Sequence, residues 1–277
     1  MTTRRRAPAH GATAATRPFR SRFILALAVL CGLSACGPAT LPPGDQIVDT
    51  REARNREVHR FNADLDQAVI APVAEVYGRA VPEPLRQGIG NVSANLSQPG
   101  YVVNNLLQAR LGEAVQNTVR FALNTTIGLG GLLDPATALG VPAARTDFGE
   151  TLHVYGFGEG RYQVVPVLGP STSRDSVGRV VDIVLNPLRH LGGASQTHHA
   201  TGVATARVLG GLQARLDLAN TIDGIYASPD GYALARSVYL QNRRHELRRG
   251  RGRADAHSDA GAGTAAYHDP YFDPYTQ

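Results

Sequence analysis

Val115-Gln116-Asn117-Thr118-Val119-Arg120-Phe121-Ala122-Leu123-Asn124-Thr125-Thr126-Ile127-Gly128-Leu129-Gly130-Gly131-Leu132-Leu133-Asp134 decides the fold class of this chain. Val115, Val119, Ala122 and Thr126 recur at three- and four-residue spacing, which predicts one stripe of an amphipathic helix. The uncharged run from Phe121 to Leu133 is 13 residues long. A bilayer-spanning helix takes about 20. A phosphate-cradling loop places its glycines at the opening of a helix beside a basic anchor. Here no strand signal precedes the glycines, and every basic residue in the chain is Arg. Gly128, Gly130 and Gly131 therefore read as a packing turn, where a missing side chain lets helices approach closely.

The same pattern extends in both directions. Val58, Phe61, Leu65 and Val69 repeat at helical spacing, as do Leu85, Ile89, Val92 and Leu96. So do Val177, Val180, Val181 and Val184, then Val208, Leu212, Leu216 and Ala219, and lastly Leu234, Val238 and Gln241. Prolines such as Pro72, Pro82, Pro99, Pro135, Pro170 and Pro187 punctuate these segments. Extended structure is expected at most as one short piece within 162–168. The longest uncharged run, 87–109, carries Asn91, Asn95, Asn104, Asn105, Gln98 and Gln108, too polar for a lipid-exposed span. Any entry into a bilayer is then by interfacial or re-entrant amphipathic helices.

Charge sharpens the N-terminal reading. The 277 residues hold 28 basic and 23 acidic side chains. Six arginines and no acid lie in 1–35; with them set aside, 22 basic residues face 23 acidic ones. The basic pI belongs to that segment and does not argue for nucleic acid. With 43% hydrophobic and 18% charged residues, the remainder has the composition of a folded chain. Arg20 and Arg22 flank the apolar run Phe23–Leu30, the layout of a secretory signal. Leu33-Ser34-Ala35-Cys36 then resembles the lipobox of bacterial lipoproteins, which implies cleavage after Ala35 and acylation of Cys36. The other cysteine, Cys31, lies inside the signal, so the mature chain has no thiol pair for a disulfide or a CxxC metal site. Several acyl chains, at roughly 0.8 kcal/mol per buried CH₂, anchor where one does not. Gly37 stands where an Asp would resemble an inner-membrane retention signal, which favours the outer membrane. The organisation expected is a signal peptide over 1–35, a lipidated tether over 36–48, a helical domain over 49–249 and a disordered tail over 250–277.

Catalytic chemistry is not legible. The chain has no HExxH, GxSxG or Walker-type loop. His198-His199 reads as a loop pair without a carboxylate partner. Asp147, Glu150 and His153 read as a surface polar stripe. Ser171-Thr172-Ser173-Arg174-Asp175 reads as a helix cap rather than a nucleophile. Tyr155 to Tyr162 contains a GxGxG that is weak as a nucleotide motif. Arg243, Arg244, Arg248, Arg249, Arg251 and Arg253 read as a solvated helix end, the alternative being contact with anionic lipid or lipopolysaccharide phosphates.

Taken together, these segments resemble the VacJ/MlaA family of outer-membrane lipoproteins over most of 49–245. The opening Asn55-Arg56, Phe61-Asn62, Leu65-Asp66 and Pro72-Val73-Ala74 carry the resemblance, followed by Arg120-Phe121, Leu123-Asn124-Thr125, Gly128, Gly130-Gly131 and Asp134. Asp147-Phe148-Gly149, Thr151-Leu152, Tyr155-Gly156, Gly169-Pro170-Ser171-Thr172, Arg174-Asp175 and Tyr239-Leu240-Gln241 complete it. Three departures stand out. Where members open with an Asp-Pro-(acid or small)-Glu-Gly-Phe-Asn-Arg run, this chain has Asp49-Thr50-Arg51-Glu52-Ala53-Arg54-Asn55-Arg56. The family's Asn-Phe is Asn91-Val92 here, and 188–205 is polar and rich in Gly and His where members carry an apolar hairpin-like element.

The resemblance implies a mainly α-helical, ring- or horseshoe-like domain embedded in the inner leaflet of the outer membrane, with little or no sheet. It implies a polar passage for phospholipids leaving the outer leaflet, with no enzyme activity, cofactor, metal or nucleic acid. The implied partners are phospholipids, a soluble periplasmic carrier of the MlaC type and a trimeric porin. Phe61, Asn62, Asn124, Thr125, Gly128, Gly130 and Gly131 are the passage candidates. Apolar helix faces would meet acyl tails, while Asn, Thr and Gln face inward. The competing reading is a lipid-anchored structural or porin-associated envelope protein that conducts no lipid. Cys36→Ser is expected to abolish incorporation of radiolabelled palmitate and to shift the protein out of the membrane fraction; labelling at wild-type level would refute acylation at Cys36.

Overall fold

The computed structural model describes residues 49–189 and 196–260. The N-terminal signal, Cys36 and the tether lie outside the described residues. α1 (Glu52–Leu65) continues through one π turn (Asp66–Ile70) into α2 (Ala71–Ala80). The wider turn has a local cause: Ala71 donates its N–H five residues back to Asp66, and Pro72 has none to donate. Val81 is extended ahead of Pro82, the conformation favoured before proline. Then follow α3 (Glu83–Asn95), α4 (Gln98–Leu107) and α5 (Leu111–Thr126). Short α6 (Pro135–Ala138) and α7 (Phe148–Val154) are capped by Asp134 and Asp147, each accepting a backbone N–H three residues on. α8 (Ser173–Leu185) is capped by Thr172, which confirms the cap expected at Ser171–Asp175. A 3₁₀ turn (Pro187–Arg189), α9 (Gln196–Asp217), α10 (Ala219–Ala227) and α11 (Gly231–Ala260) complete the order. α11 passes residue 250, where the tail was expected to begin.

The extended piece anticipated within 162–168 is half of an antiparallel hairpin. β1 (Tyr162–Val165) pairs with β2 (Gly169–Thr172) in a register that sets Tyr162 opposite Thr172. Gly169, with φ +77°, takes the left-handed corner of the turn. α4 packs along α5, α7 along α8, and α9 along both α2 and α3.

Polarity is reversed relative to a water-soluble bundle. The largest fully enclosed side chains are Gln98, Asn105, Asn117, Thr151, Thr172 and Ser171. On α5, Leu111 and Val115 are 65% and 62% exposed, whereas Glu113, Asn117, Arg120 and Asn124 are buried. On α2, Val73 and Val76 face out, and Ala74 and Tyr77 face in. Exposed aliphatic side chains in this number suit a surface that meets something other than water. Among the described residues a small apolar cluster joins Tyr162, Val164, Tyr232 and Leu240, with Val58 and Tyr239 against it.

Asparagine amides hold the loops to the helices. Asn55 donates to Tyr162 O (3.3 Å) and accepts from Val164 N (3.1 Å). Asn62 donates to Val165 O (3.0 Å) and accepts from Val167 N (2.8 Å). These two residues replace a third strand along the free edge of β1. The spacing matches: seven helical residues advance about 10.5 Å, and three strand residues advance about 10 Å. Asn117 does the same for Ala144, donating to its carbonyl (2.8 Å) and accepting from its N–H (3.0 Å). A buried ion pair, Arg215 on Asp66, ties α9 to the π turn at 2.9 Å. Asn117→Leu keeps the volume but leaves the Ala144 N–H unpaired and its carbonyl with only the longer 3.4 Å bond from Asn105. It is expected to lower unfolding stability by about 1–3 kcal/mol per orphaned group, measured by denaturant unfolding in detergent micelles.

Candidate functional site

The strongest concentration of buried charge lies where α4, α5, the 143–147 segment, α7 and α11 meet. Ala109, with φ +57°, reverses the chain between α4 and α5 and delivers Arg110 to the start of α5. Arg110 reaches Glu150 at 2.6 Å, and both side chains are 8% exposed. The second oxygen of Glu150 accepts from the Thr146 hydroxyl at 2.9 Å. α11 crosses directly over this pair: a Cβ on Gly250 would overlap Glu150 Oε1. Earlier on α11, Arg243 bridges Asp147 (2.7 Å) and Asp175 (3.1 Å). Tyr239 donates to Asp175 at 2.6 Å. Burial by itself raises the Asp175 pKa, but the Arg243 charge and the Tyr239 hydroxyl outweigh it and hold the carboxyl below its ordinary value. Asp182 shows the opposite balance: burial raises it despite hydrogen bonds from Phe148 N and Asn104.

These groups enclose a polar cavity of about 450 Å³. Tyr101, Asn105, Arg110 and Glu113 line it from α4 and α5. Arg145, Asp147 and Glu150 come from the next segment, and Arg243, Glu246 and Arg249 from α11. A second, apolar groove of about 430 Å³ runs between α3 and α9 past Ile89, Val92, Thr205, Ala206 and Leu209.

The passage candidates from the sequence fall in two other places. Phe61 is 52% exposed, and Asn62 is engaged on the hairpin edge. Asn124 donates to Asp134 (2.9 Å) and accepts from Ala136 N (3.1 Å), while Thr125 accepts from Asn95 (3.0 Å). Gly128 sits on the backbone of Asn124 and Leu133, and Gly131, at φ +95°, sits on Asn95. These contacts fit the packing-turn reading; Gly130, at φ +75°, has open space beside it. None of the seven lines the 450 Å³ cavity.

Two other expectations change. Glu150 is buried in an ion pair rather than part of a surface stripe. Of the basic cluster, Arg243 and Arg244 are occupied by carboxylates, Arg244 by Glu159 at 2.7 Å, so they are not a solvated helix end. The GxGxG segment has its carbonyls turned to Arg174, which donates to Phe157 O and, through its backbone, to Glu159 O. The side chains of His198 and His199 lie outside the described residues.

Sequence reasoning missed Arg110, Glu113, Arg145, Glu150, Arg243 and Arg249 as site residues. A signal existed. Glu113, Asn117, Arg120 and Asn124 repeat at helical spacing opposite Val115 and Val119, so an outward apolar stripe requires an inward polar one.

The model of the MlaA lipoprotein family matches residues 47–246. The chain belongs to the MlaA lipoprotein family. It is 33% identical over 203 residues to the intermembrane phospholipid transport system lipoprotein MlaA of Shigella flexneri, covering 72% of this chain and 77% of that one. The Escherichia coli K12 MlaA matches to the same extent. A solved structure, from work on the structural basis for maintenance of bacterial outer membrane lipid asymmetry, aligns with a TM-score of 0.61 at 31% identity, covering 72% of this chain and 98% of that one. The MlaA match therefore spans nearly all of the described helices.

Asp175 titrates below its unfolded value of about 3.9. Its stabilisation is thus complete above that pH and is lost as pH falls through the lower folded value. In Arg243→Gln, burial is expected to dominate and raise the Asp175 pKa above its unfolded value, so the sign reverses: the charged carboxyl destabilises the variant at neutral pH, and that penalty is relieved as pH falls. Unfolding midpoints between pH 3 and 7 measure this; superimposable pH profiles would refute it.

Proposed function

We propose that this chain is an outer-membrane lipoprotein that withdraws mislocalised phospholipid from the outer leaflet and delivers it to a soluble periplasmic carrier, so maintaining lipid asymmetry. The observation that carries this reading is the reversed polarity: amides and ion pairs inside, aliphatic side chains outside. Among the described residues no helix is long and apolar enough to cross a membrane. The domain accordingly sits within one leaflet, held there by its apolar periphery and by acyl chains on Cys36. Leu129, Leu132, Leu133 and Leu139 are exposed around the glycine turn and reach the acyl region. Phe61 and Asn62, with the turn from Asn124 to Gly131, flank the route by which a lipid enters.

A lipid headgroup crossing hydrocarbon loses its hydration, which costs several kcal/mol or more for a charged group. The 450 Å³ cavity replaces that hydration with fixed polar partners. Its size falls within the roughly 300–1,000 Å³ typical of ligand pockets. No bond is made or broken; the protein lowers a barrier to movement. The MlaA relatives are named for intermembrane phospholipid transport. A trimeric porin around the apolar belt and an MlaC-type carrier on the periplasmic side are the partners this arrangement accommodates.

The test is complementation of a strain lacking its own MlaA. Surface phosphatidylethanolamine is read with an amine-reactive reagent that does not cross the membrane. The wild-type chain is expected to return labelling to the parental level. Ala143→Trp, which fills the cavity from its wall, is expected to leave labelling high at equal membrane abundance. A purely structural role predicts that both restore the barrier.

A further inference from the structure

The polar cavity holds more hydrogen-bond donors than its own acceptors engage, and on the transport reading above that surplus has a ligand. The four carboxylates on its lining are taken. Glu150 accepts from Arg110 at one oxygen and from the Thr146 hydroxyl at the other. Asp147 accepts from Arg243 and from Glu150 N. Glu246 accepts from Asn242 and Arg243, and Glu113 has a partner as well. The arginines are less fully engaged. Arg110 uses Nη1 for Glu150, and among the described residues its side chain makes no other hydrogen bond. A guanidinium carries five N–H donors, so most of the donors of a side chain only 8% exposed are unused. Gly250 places no side chain over them: a Cβ there would stand 3.2 Å from Arg110 Nη2. Arg145 and Arg249 are exposed on the same lining, and among the described residues neither has an ion pair or a side-chain hydrogen bond. Burial raises the Tyr101 pKa and the Arg145 charge opposes that rise, which sets the Arg145 guanidinium near the Tyr101 wall of the cavity.

A buried guanidinium whose donors lack acceptors is costly, and an oxyanion supplies those acceptors. The planar fork matches a phosphate through two parallel N–H donors, and such charge-assisted bonds are roughly twice as strong as neutral ones. We propose that Arg110, Arg145 and Arg249 form a phosphate site in this cavity, its ligand the phosphodiester of a lipid headgroup. Arg110 receives the phosphate from within, and Arg145 and Arg249 close on it from the rim. Because every carboxylate on the lining is engaged, none is left to read a cationic headgroup. The site therefore recognises the phosphate that all phospholipids share and not the alcohol esterified to it. That suits a route that clears phospholipid whatever its headgroup. A diglyceride, which has the tails without the phosphate, is rejected.

The experiment is calorimetric titration of the full chain in detergent micelles with diheptanoyl phosphatidylglycerol, -ethanolamine and -choline, with diheptanoylglycerol, and with inorganic phosphate. The three phospholipids are expected to bind within about threefold of one another, and the diglyceride about tenfold more weakly, the scale of one charge-assisted hydrogen bond. The Arg145→Gln/Arg249→Gln double variant is expected to weaken all three phospholipids by about tenfold and to leave the diglyceride unchanged. Arg110→Lys keeps a charge beside Glu150 but loses the fork, and is expected to weaken the same three lipids. Arg145 and Arg249 are exposed, so the double variant remains decisive if Arg110→Lys does not fold. Wild-type affinity for phospholipid in either variant overturns the proposal, as does diglyceride binding as tight as phospholipid. A preference of about tenfold for one headgroup overturns it as well. Inorganic phosphate binding as tightly as the lipids makes this a free-phosphate site and also overturns it. If the chain clears surface phospholipid in cells while the arginine variants bind lipid normally in vitro, this inference alone falls. If it clears none, the transport reading falls, whatever the titration shows.

Discussion

An asparagine side chain carries the same donor and acceptor as a peptide bond, and the interior of this domain is assembled from that equivalence. Asn55 and Asn62 present two such amides two helical turns apart on α1 and close the open edge of β1. Asn117 holds Ala144, and Asn124 holds the start of α6. The need for these bonds follows from where the aliphatic side chains are. When Leu111, Val115, Val73 and Val76 face outward, their burial cannot draw the helices together. Between helices in lipid, association rests on close packing and on satisfied polar groups. An amide buried there without a partner is costly, so each must find one, and that requirement selects a single arrangement.

The arginines follow the same logic with charge. Arg110, Arg120, Arg215 and Arg243 are largely enclosed, and each lies against a carboxylate. A buried pair returns about what its desolvation takes, so these contacts contribute geometry more than net stability. Their geometry is useful. Arg215 on Asp66 joins α9 to the π turn, and Arg243 joins α11 to α7 and α8. Arg236 on Asp49 brings the first described residue onto α11, with Tyr232 donating to the same carboxylate. The chain leading back to Cys36 thus starts from a fixed point on the domain. Gly250 lets α11 lie flat over Arg110 and Glu150, which turns a helix end into one wall of the cavity.

Much of the helical order was readable in advance, because a three- and four-residue repeat reports helix whichever way its apolar stripe faces. The cap at Thr172 and the packing turn at Gly128 and Gly131 were readable too, since both rest on local chemistry. Glu150 was misread as surface because its partner, Arg110, is 40 positions away. Asn62 was singled out, but its work on the hairpin edge depends on residues more than 100 positions later. Arg243 and Arg244 looked like one solvated cluster, yet three acidic side chains from different segments divide them.

The sequence by itself determined the family, the helical class and the punctuation of the helices. Each of these is written in neighbouring residues or in a short period. The tertiary structure alone decided which stripe of each helix turned inward, because periodicity is the same for a core and for a lipid-facing belt. It alone brought Arg110, Arg145, Glu150, Arg243 and Arg249 to one cavity, since charges far apart in the chain are joined only when the helices that carry them pack.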